Sequence, residues 1–432
     1  MVNVSVKTAV AASDPEANYT GPLAIVTSLF FMWGFLTCLN DILVPHLKSI
    51  FDLSYARVML IQFAFFGAYF IFSIPSAKII DWMGYQRSMV AGLLMMGLGA
   101  FLFVPAASVP SYPLFLGALI VLAAGITCLQ VAANPYVTVL GKPQTASSRL
   151  NLTQAFNSLG TFLAPFFGGL LILSAAPKAM DEIRAMAPDA LQAYRLHEAA
   201  TVKTPYVGLG IALVLLAIAI GSFKLPKIEH AQHKVGEKVD DSIWKHPSLI
   251  FGAIAIFVYV GAEVSIGSFL VNYFGQPEIG GLTEKVAANF VALYWLGAMI
   301  GRFIGSGLLQ KVKTGKLLGI CAICAAGLVA ISMLTSGHFA MWSIIFVGFF
   351  NSIMFPSIFT LGVAELGPLT GDGSGVMIMA IVGGAIIPVA QGWIADKIGI
   401  HHAFFLPVIC YLYILFFALS GSKPNSERQA KT

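Results

Sequence analysis

An almost unbroken apolar run, LFFMWGFLTCLNDILVPHL from Leu29 to Leu47, carries Asn40 and Asp41 inside it, with no basic neighbour closer than His46 and Lys48. An ionised carboxylate at the centre of a hydrocarbon layer costs about 3 kcal/mol or more, so a chain that keeps one there uses it, for a proton, an ion or a counter-charge. A second acid, Glu263, sits in a similar run, FVYVGAEVSIGSFLVNY. Amide side chains interrupt other apolar stretches at Gln130, Gln154, Asn157 and Asn351. These groups bind polar solutes and ions; they do not form the nucleophile, metal set or acid/base pair that a membrane enzyme requires. No HExxH, Walker or GxSxG string occurs, and the adjacent His401 and His402 would diverge at a loop. The chain is therefore not expected to be an enzyme.

The elements that must position these groups follow from composition. Of 432 residues, 58% are apolar and only 10% charged, a balance that a water-exposed globular surface cannot carry. A spanning helix takes about 20 mostly apolar residues. By that measure twelve spans are predicted, starting near residues 22, 58, 87, 112, 150, 205, 247, 286, 316, 340, 374 and 402. The expected fold class is an all-α integral membrane protein in a lipid bilayer. The first twenty residues contain acids and no apolar core, and read as a tail and not a leader. Lysines 224, 227, 234, 238 and 245 after span six, and 311, 313 and 316 after span eight, place both termini in the cytoplasm of a bacterial inner membrane. The loop from about Ser174 to Thr204 carries basic residues on the opposite side, but long loops translocate with little regard to charge. A net charge of +5 gives no support to nucleic-acid binding, and the five cysteines read as packing residues. The chain is expected to work as a monomer.

The polar segment Phe223 to Pro247 divides the chain six spans from six, and the halves repeat. NPYVTVLG (Asn134 to Gly141) aligns with FPSIFTLG (Phe355 to Gly362), and Gly160, Pro165 and Gly169 align with Gly383, Pro388 and Gly392. Parallel six-helix halves about a midplane site are a carrier architecture. The expected organisation is a tail over 1–21, bundles over 22–222 and 247–421, a cytoplasmic linker over 223–246 and a tail over 422–432. The same offset carries Asp41 onto Glu263 and Gln130 onto Asn351. Between spans two and three, DWMGYQR supplies Asp81, Gly84 and Arg87 for a tight turn and gate-side ion pairs, with KVKTGK (Lys311 to Lys316) in the corresponding place of the second half. The alternative is a hydrated loop that only sets topology.

The strings LNDIL (Leu39 to Leu43), AANPYVTVLG (Ala132 to Gly141), RLNL (Arg149 to Leu152), FNSLG (Phe156 to Gly160), YVGA (Tyr259 to Ala262) and IGRF (Ile300 to Phe303) resemble the fucose:proton symporter family of the major facilitator superfamily. LQVAANPY with GAEVSIGSFLVNY is more similar to its glucose/galactose transporter members. The resemblance implies hexose uptake by alternating access in two pseudo-symmetric six-helix bundles, driven by a co-transported monovalent cation and without a cofactor. It implies a cation-coupling role for Asp41 and sugar-hydroxyl contacts for Gln154 and Asn157, whose amides offer both donor and acceptor; the alternative for the amides is interhelical hydrogen bonding.

The fucose carriers have a Glu where this chain has Gln130, so a two-carboxylate proton relay is excluded there. Asp41 alone could bind a proton. Sodium would need a cluster of oxygens, which Gln130, Asn40, Thr127 and Asn134 could supply around Asp41; sodium is the expected ion, with a proton as the alternative, and no other metal is expected. Glu263 is expected to face sugar, the alternatives being cation binding or pairing with Arg302. Tyr259, Asn272, Asn289, Tyr294 and Trp295 are its candidate companions, since rings stack on a pyranose while amides take its hydroxyls; helix packing and interface anchoring are the alternatives for the rings. Rival readings are a proton-driven drug exporter on the same fold and a sugar sensor.

Overall fold

In lipid the backbone must satisfy its own polar groups, and a chain of long apolar runs does so as helices. The computed structural model describes residues 19–51, 55–109, 111–171, 182, 185–228 and 241–423, with side chains described outside 39–51, 55–60, 165–171, 198 and 199. Among the described residues there is no strand. The helices are α1 (Thr20–Phe51), α2 (Tyr55–Ser108), α3 (Tyr112–Val139), α4 (Ala146–Leu171), α5 (Pro188–Thr201), α6 (Lys203–Ser222) and α7 (Pro247–Phe274). They continue with α8 (Glu284–Leu308), α9 (Thr314–Leu334), α10 (Gly337–Asn351), α11 (Met354–Gly362), α12 (Thr370–Met379), α13 (Gly383–Ile398), α14 (Ile400–Ala403) and α15 (Phe405–Phe416).

Ten described stretches are long and apolar enough to cross a membrane. One, Ile61–Ser108, has 48 residues, about 70 Å of helix, more than twice a hydrocarbon core of about 30 Å. It is two crossings, broken at Gly84, whose φ of 83° a side chain would strain. Adding α4, which is too polar to count among the ten, gives the twelve expected.

The polarity of α4 has a cause in packing. Ser147, Ser148, Asn151, Gln154 and Ser158 recur at three- and four-residue spacing, and all five are buried. Their stripe runs against α8, the main partner of α4 outside the first six spans, while α4 also lies along α1. The α1–α4 crossing is close because Gly160 has no side chain: a Cβ there would sit 2.3 Å from the Phe31 carbonyl oxygen. Its repeat partner Gly383 does the same in the second set of helices, where a Cβ would sit 2.0 Å from the Phe257 carbonyl oxygen on α7. Pro165 and Gly169, also matched by the repeat, lie outside the described side chains.

The two sets of helices meet along α4 with α8 and α12 with α2 and α3. The bonds across this seam gather toward the end that carries Lys311, Lys313 and Lys316. Ser147 and Thr360 hydroxyls are 2.6 Å apart, and Thr314 donates to Ser147 at 2.9 Å. Ser148 donates to the Ser306 carbonyl at 2.7 Å, and Ser374 to the Val131 carbonyl at 2.8 Å.

Candidate functional site

On one wall of the seam α3 presents Thr127, Gln130 and Asn134 at helical spacing, all buried. Gln130 donates through Nε2 to the Tyr69 hydroxyl on α2 at 2.7 Å. Its Oε1 is a buried acceptor without a partner among the described residues, as is the donor Nδ2 of Asn134. Gln154 donates weakly to Asn134 Oδ1 at 3.5 Å, so α3 and α4 bring three amides together. Thr127 donates to its own helix at the Ala123 carbonyl. Asn157 donates to the Phe30 carbonyl of α1 at 2.9 Å, which makes it a tie between helices as well as a partly accessible amide. The side chains of Asn40 and Asp41, the first residues singled out by the sequence, lie outside those described.

The opposite wall is built on charge. Glu263 Oε1 accepts from the Tyr259 hydroxyl at 2.8 Å, and that hydroxyl also lies 3.1 Å from the Asn351 carbonyl. Asn351 Nδ2 donates to the Tyr294 hydroxyl at 2.8 Å. Tyr259, Tyr294 and Asn351 are all essentially inaccessible, so they hold Glu263 from behind. Arg302 approaches the carboxylate to 4.0 Å, the two side chains being 14% and 13% exposed. Its guanidinium also donates to the Ser158 hydroxyl on α4 and to the Ser352 carbonyl at 3.3 Å. Arg302 thus spans the seam: its charge faces Glu263 on one side and its hydrogen bond reaches the other set of helices. A carboxylate already facing a guanidinium has little call on a further cation.

Three other predicted residues are not brought to this floor. Asn272 and Asn289 are exposed near the ends of α7 and α8, and Asn272 is nine residues, about 13 Å of helix, beyond Glu263. Trp295 lies against Gly267 and meets Tyr294 edge-on at 5.1 Å between centroids. Of the turn motif, Gly84 makes the break and Arg87 is exposed. Asp81 joins a charge cluster centred on Lys78, which is 3.4 Å from Asp81 and 2.8 Å from Asp372 at the start of α12.

Sequence reasoning missed Lys78, Asp372, Ser158 and Tyr69. A signal for Asp372 existed: the 223-residue offset that pairs Gly160 with Gly383 pairs it with Arg149, a charge at the same helix start. Arg149 itself closes the end of α3, donating to the Thr138 and Lys142 carbonyls at 2.8 Å each.

Known proteins fit this architecture. The Major Facilitator Superfamily model matches residues 24–381. The glucose/galactose transporter of Brucella abortus biovar 1 (strain 9-941) is 53% identical over 411 residues, covering 95% of this chain and 96% of the relative. The L-fucose-proton symporter of Escherichia coli (strain K12) is 36% identical over 435 residues, covering 97% and 98%. The crystal structure of FucP in the outward conformation superposes with a TM-score of 0.86 at 35% identity, covering 94% of this chain and 99% of that one. These are membrane carriers and not enzymes. With half its residues shared with one such carrier along nearly its whole length, the chain belongs to the Major Facilitator Superfamily, alongside the glucose/galactose transporters and the L-fucose-proton symporters.

Proposed function

We propose that this chain is a cation-coupled symporter of hexose, glucose or galactose, working by alternating access. The observation that carries the reading is the polar floor at the seam: amides of α3 and α4 on one side, Glu263 with Arg302 on the other, and Ser158 joining them. Hexose hydroxyls would take Gln154 and Asn157 on the first wall and Glu263 on the second. The names of the relatives support the substrate class.

The coupling cation is assigned to Asp41, with Asn40, Gln130, Thr127 and Asn134 as the other candidate oxygen donors, because Glu263 already faces Arg302. Neutralising a buried carboxylate lowers the cost of closing over it, which gives the ion the differential affinity that a population shift requires. The relatives named as proton symporters support a proton. Sodium is the second reading, supported by the unpartnered Gln130 Oε1. On this reading the lysine-bearing end faces the cytoplasm of the inner membrane, together with both termini, and the bonds across its seam support an outward-facing state like that of the FucP crystal structure. The bundles are 22–222 and 247–421.

Counterflow of labelled glucose and galactose in proteoliposomes tests the reading, repeated with imposed sodium and pH gradients. Saturable hexose counterflow is expected, with accumulation driven by the pH gradient alone. No exchange of any hexose removes the substrate class; accumulation that needs sodium and ignores pH selects the second ion.

A further inference from the structure

The KVKTGK segment, read from sequence as a gate or topological turn, borders a cavity of about 770 Å³. Among the described residues, its lining includes Lys313, Lys316 and Lys423 and no Asp or Glu. The rest of the lining is of two kinds. Ile320, Ile323 and Leu419, at 45%, 55% and 58% exposure, run from the lysines along the outer faces of α9 and of the chain after α15, where lipid would lie. Pro143 and Gln144, between α3 and α4, come from the other set of helices. The volume is that of a small-molecule site, which lies between about 300 and 1,000 Å³.

A cationic rim above an apolar wall, open to the bilayer, fits an amphiphile with an anionic head. We propose that this cavity binds an anionic phospholipid of the cytoplasmic leaflet, phosphate on Lys313 and Lys316 and acyl chain along Ile320 and Ile323. A free anion would use the rim and leave the apolar wall bare. Because Pro143 and Gln144 complete the cavity from across the seam, beside the Thr314–Ser147 bond, it is whole only while this end is shut. The lipid therefore acts as a removable tie that favours the outward-facing state. Only this last consequence rests on the alternating-access reading.

Two measurements test it. In detergent, native mass spectrometry of the full chain is titrated with phosphatidylglycerol, phosphatidylcholine and inorganic phosphate. Phosphatidylglycerol adducts are expected on the wild type, unmoved by equimolar phosphate, about 25-fold weaker on K313Q/K316Q and retained on K313R/K316R, since each lysine near anionic lipid is worth about fivefold. Equal adducts with phosphatidylcholine, equal adducts on K313Q/K316Q, or displacement by phosphate would each overturn the lipid site, the last in favour of a free-anion site. In vesicles, a cysteine at Ser306→Cys, buried at the closed end in a chain whose own five cysteines are alanine, should react with a thiol reagent more slowly by threefold or more when phosphatidylglycerol is present. That difference should vanish in K313Q/K316Q; if it persists there, the tie is refuted. Neither measurement uses sugar, so a chain that binds the lipid but moves no hexose condemns the transport reading and leaves this one standing.

Discussion

At the scale of single residues, the arrangement accounts for one of the two acids that the sequence repeat makes look equivalent. Glu263 faces Arg302 at 4.0 Å and accepts from Tyr259, so its charge is already answered. Among the described residues, a neutral amide there leaves Arg302 with hydroxyl and carbonyl partners, and on the proposed reading it removes a charged acceptor from the sugar. A hydrogen bond to a charged group is worth about 1.5–3 kcal/mol. Glu263→Gln is thus expected to raise the KM for hexose about 10- to 100-fold while the ratio of accumulated to external sugar at saturation holds. Asp41→Asn should give the reverse pattern, with counterflow of preloaded hexose surviving and accumulation against a gradient lost. Initial-rate uptake and end-point accumulation in the same vesicles separate the two; loss of accumulation in Glu263→Gln with KM unchanged would move the coupling role to Glu263.

Whole helices are placed by the absence of side chains as much as by their presence. α4 can carry a buried polar stripe only because it is pressed between α1 and α8, and the α1 contact closes at Gly160. Added methyl groups at such a crossing cost about 1–3 kcal/mol or more, since the atom they meet is backbone and cannot step aside. Gly160→Val is expected to lower the thermal unfolding midpoint in detergent and to abolish transport, with Gly383→Val doing the same through α7; a Gly160→Val protein with wild-type midpoint and uptake would show the crossing to be loose. Both glycines were readable in advance, because small residues recur at matched places in the repeat, and each predicted span start falls within four residues of a helix start or of the Gly84 break. The polar stripe of α4 was half readable. Gln154 and Asn157 stood out as amides in an apolar run, but Ser148, Asn151 and Ser158 carry no sign of which neighbour they meet. Arg302 was expected as one of the alternatives for Glu263; the structure pairs the two and adds the bond from Arg302 to Ser158 across the seam. Contacts between residues some 150 positions apart depend on how the two sets of helices dock, and no local pattern encodes that.

For the molecule as a whole, the proposed symport requires the closed seam and the ion to act on one equilibrium. The Lys78–Asp372 pair crosses the seam, but Lys78 is 60% exposed, so the pair is worth at most about 1 kcal/mol and biases the seam without locking it. Asp372→Asn should therefore shift the resting population toward the inward-facing state by about fivefold at most, read as faster alkylation of a cysteine at Ser306→Cys; an unchanged rate would remove this pair from the gate. Such a weakly biased equilibrium lets a small driving force set the direction of net flux. If one cation enters with each neutral hexose, every turnover moves one charge, and about 100 mV, inside negative, contributes about 2.3 kcal/mol. That corresponds to a sugar ratio of about 50-fold. An imposed potassium diffusion potential of that size, with no sodium or pH gradient, is expected to drive hexose accumulation approaching this ratio in the wild type and none in Asp41→Asn. A wild type that equilibrates hexose without concentrating it under this potential would make the carrier a uniporter, and Asp41 a structural charge.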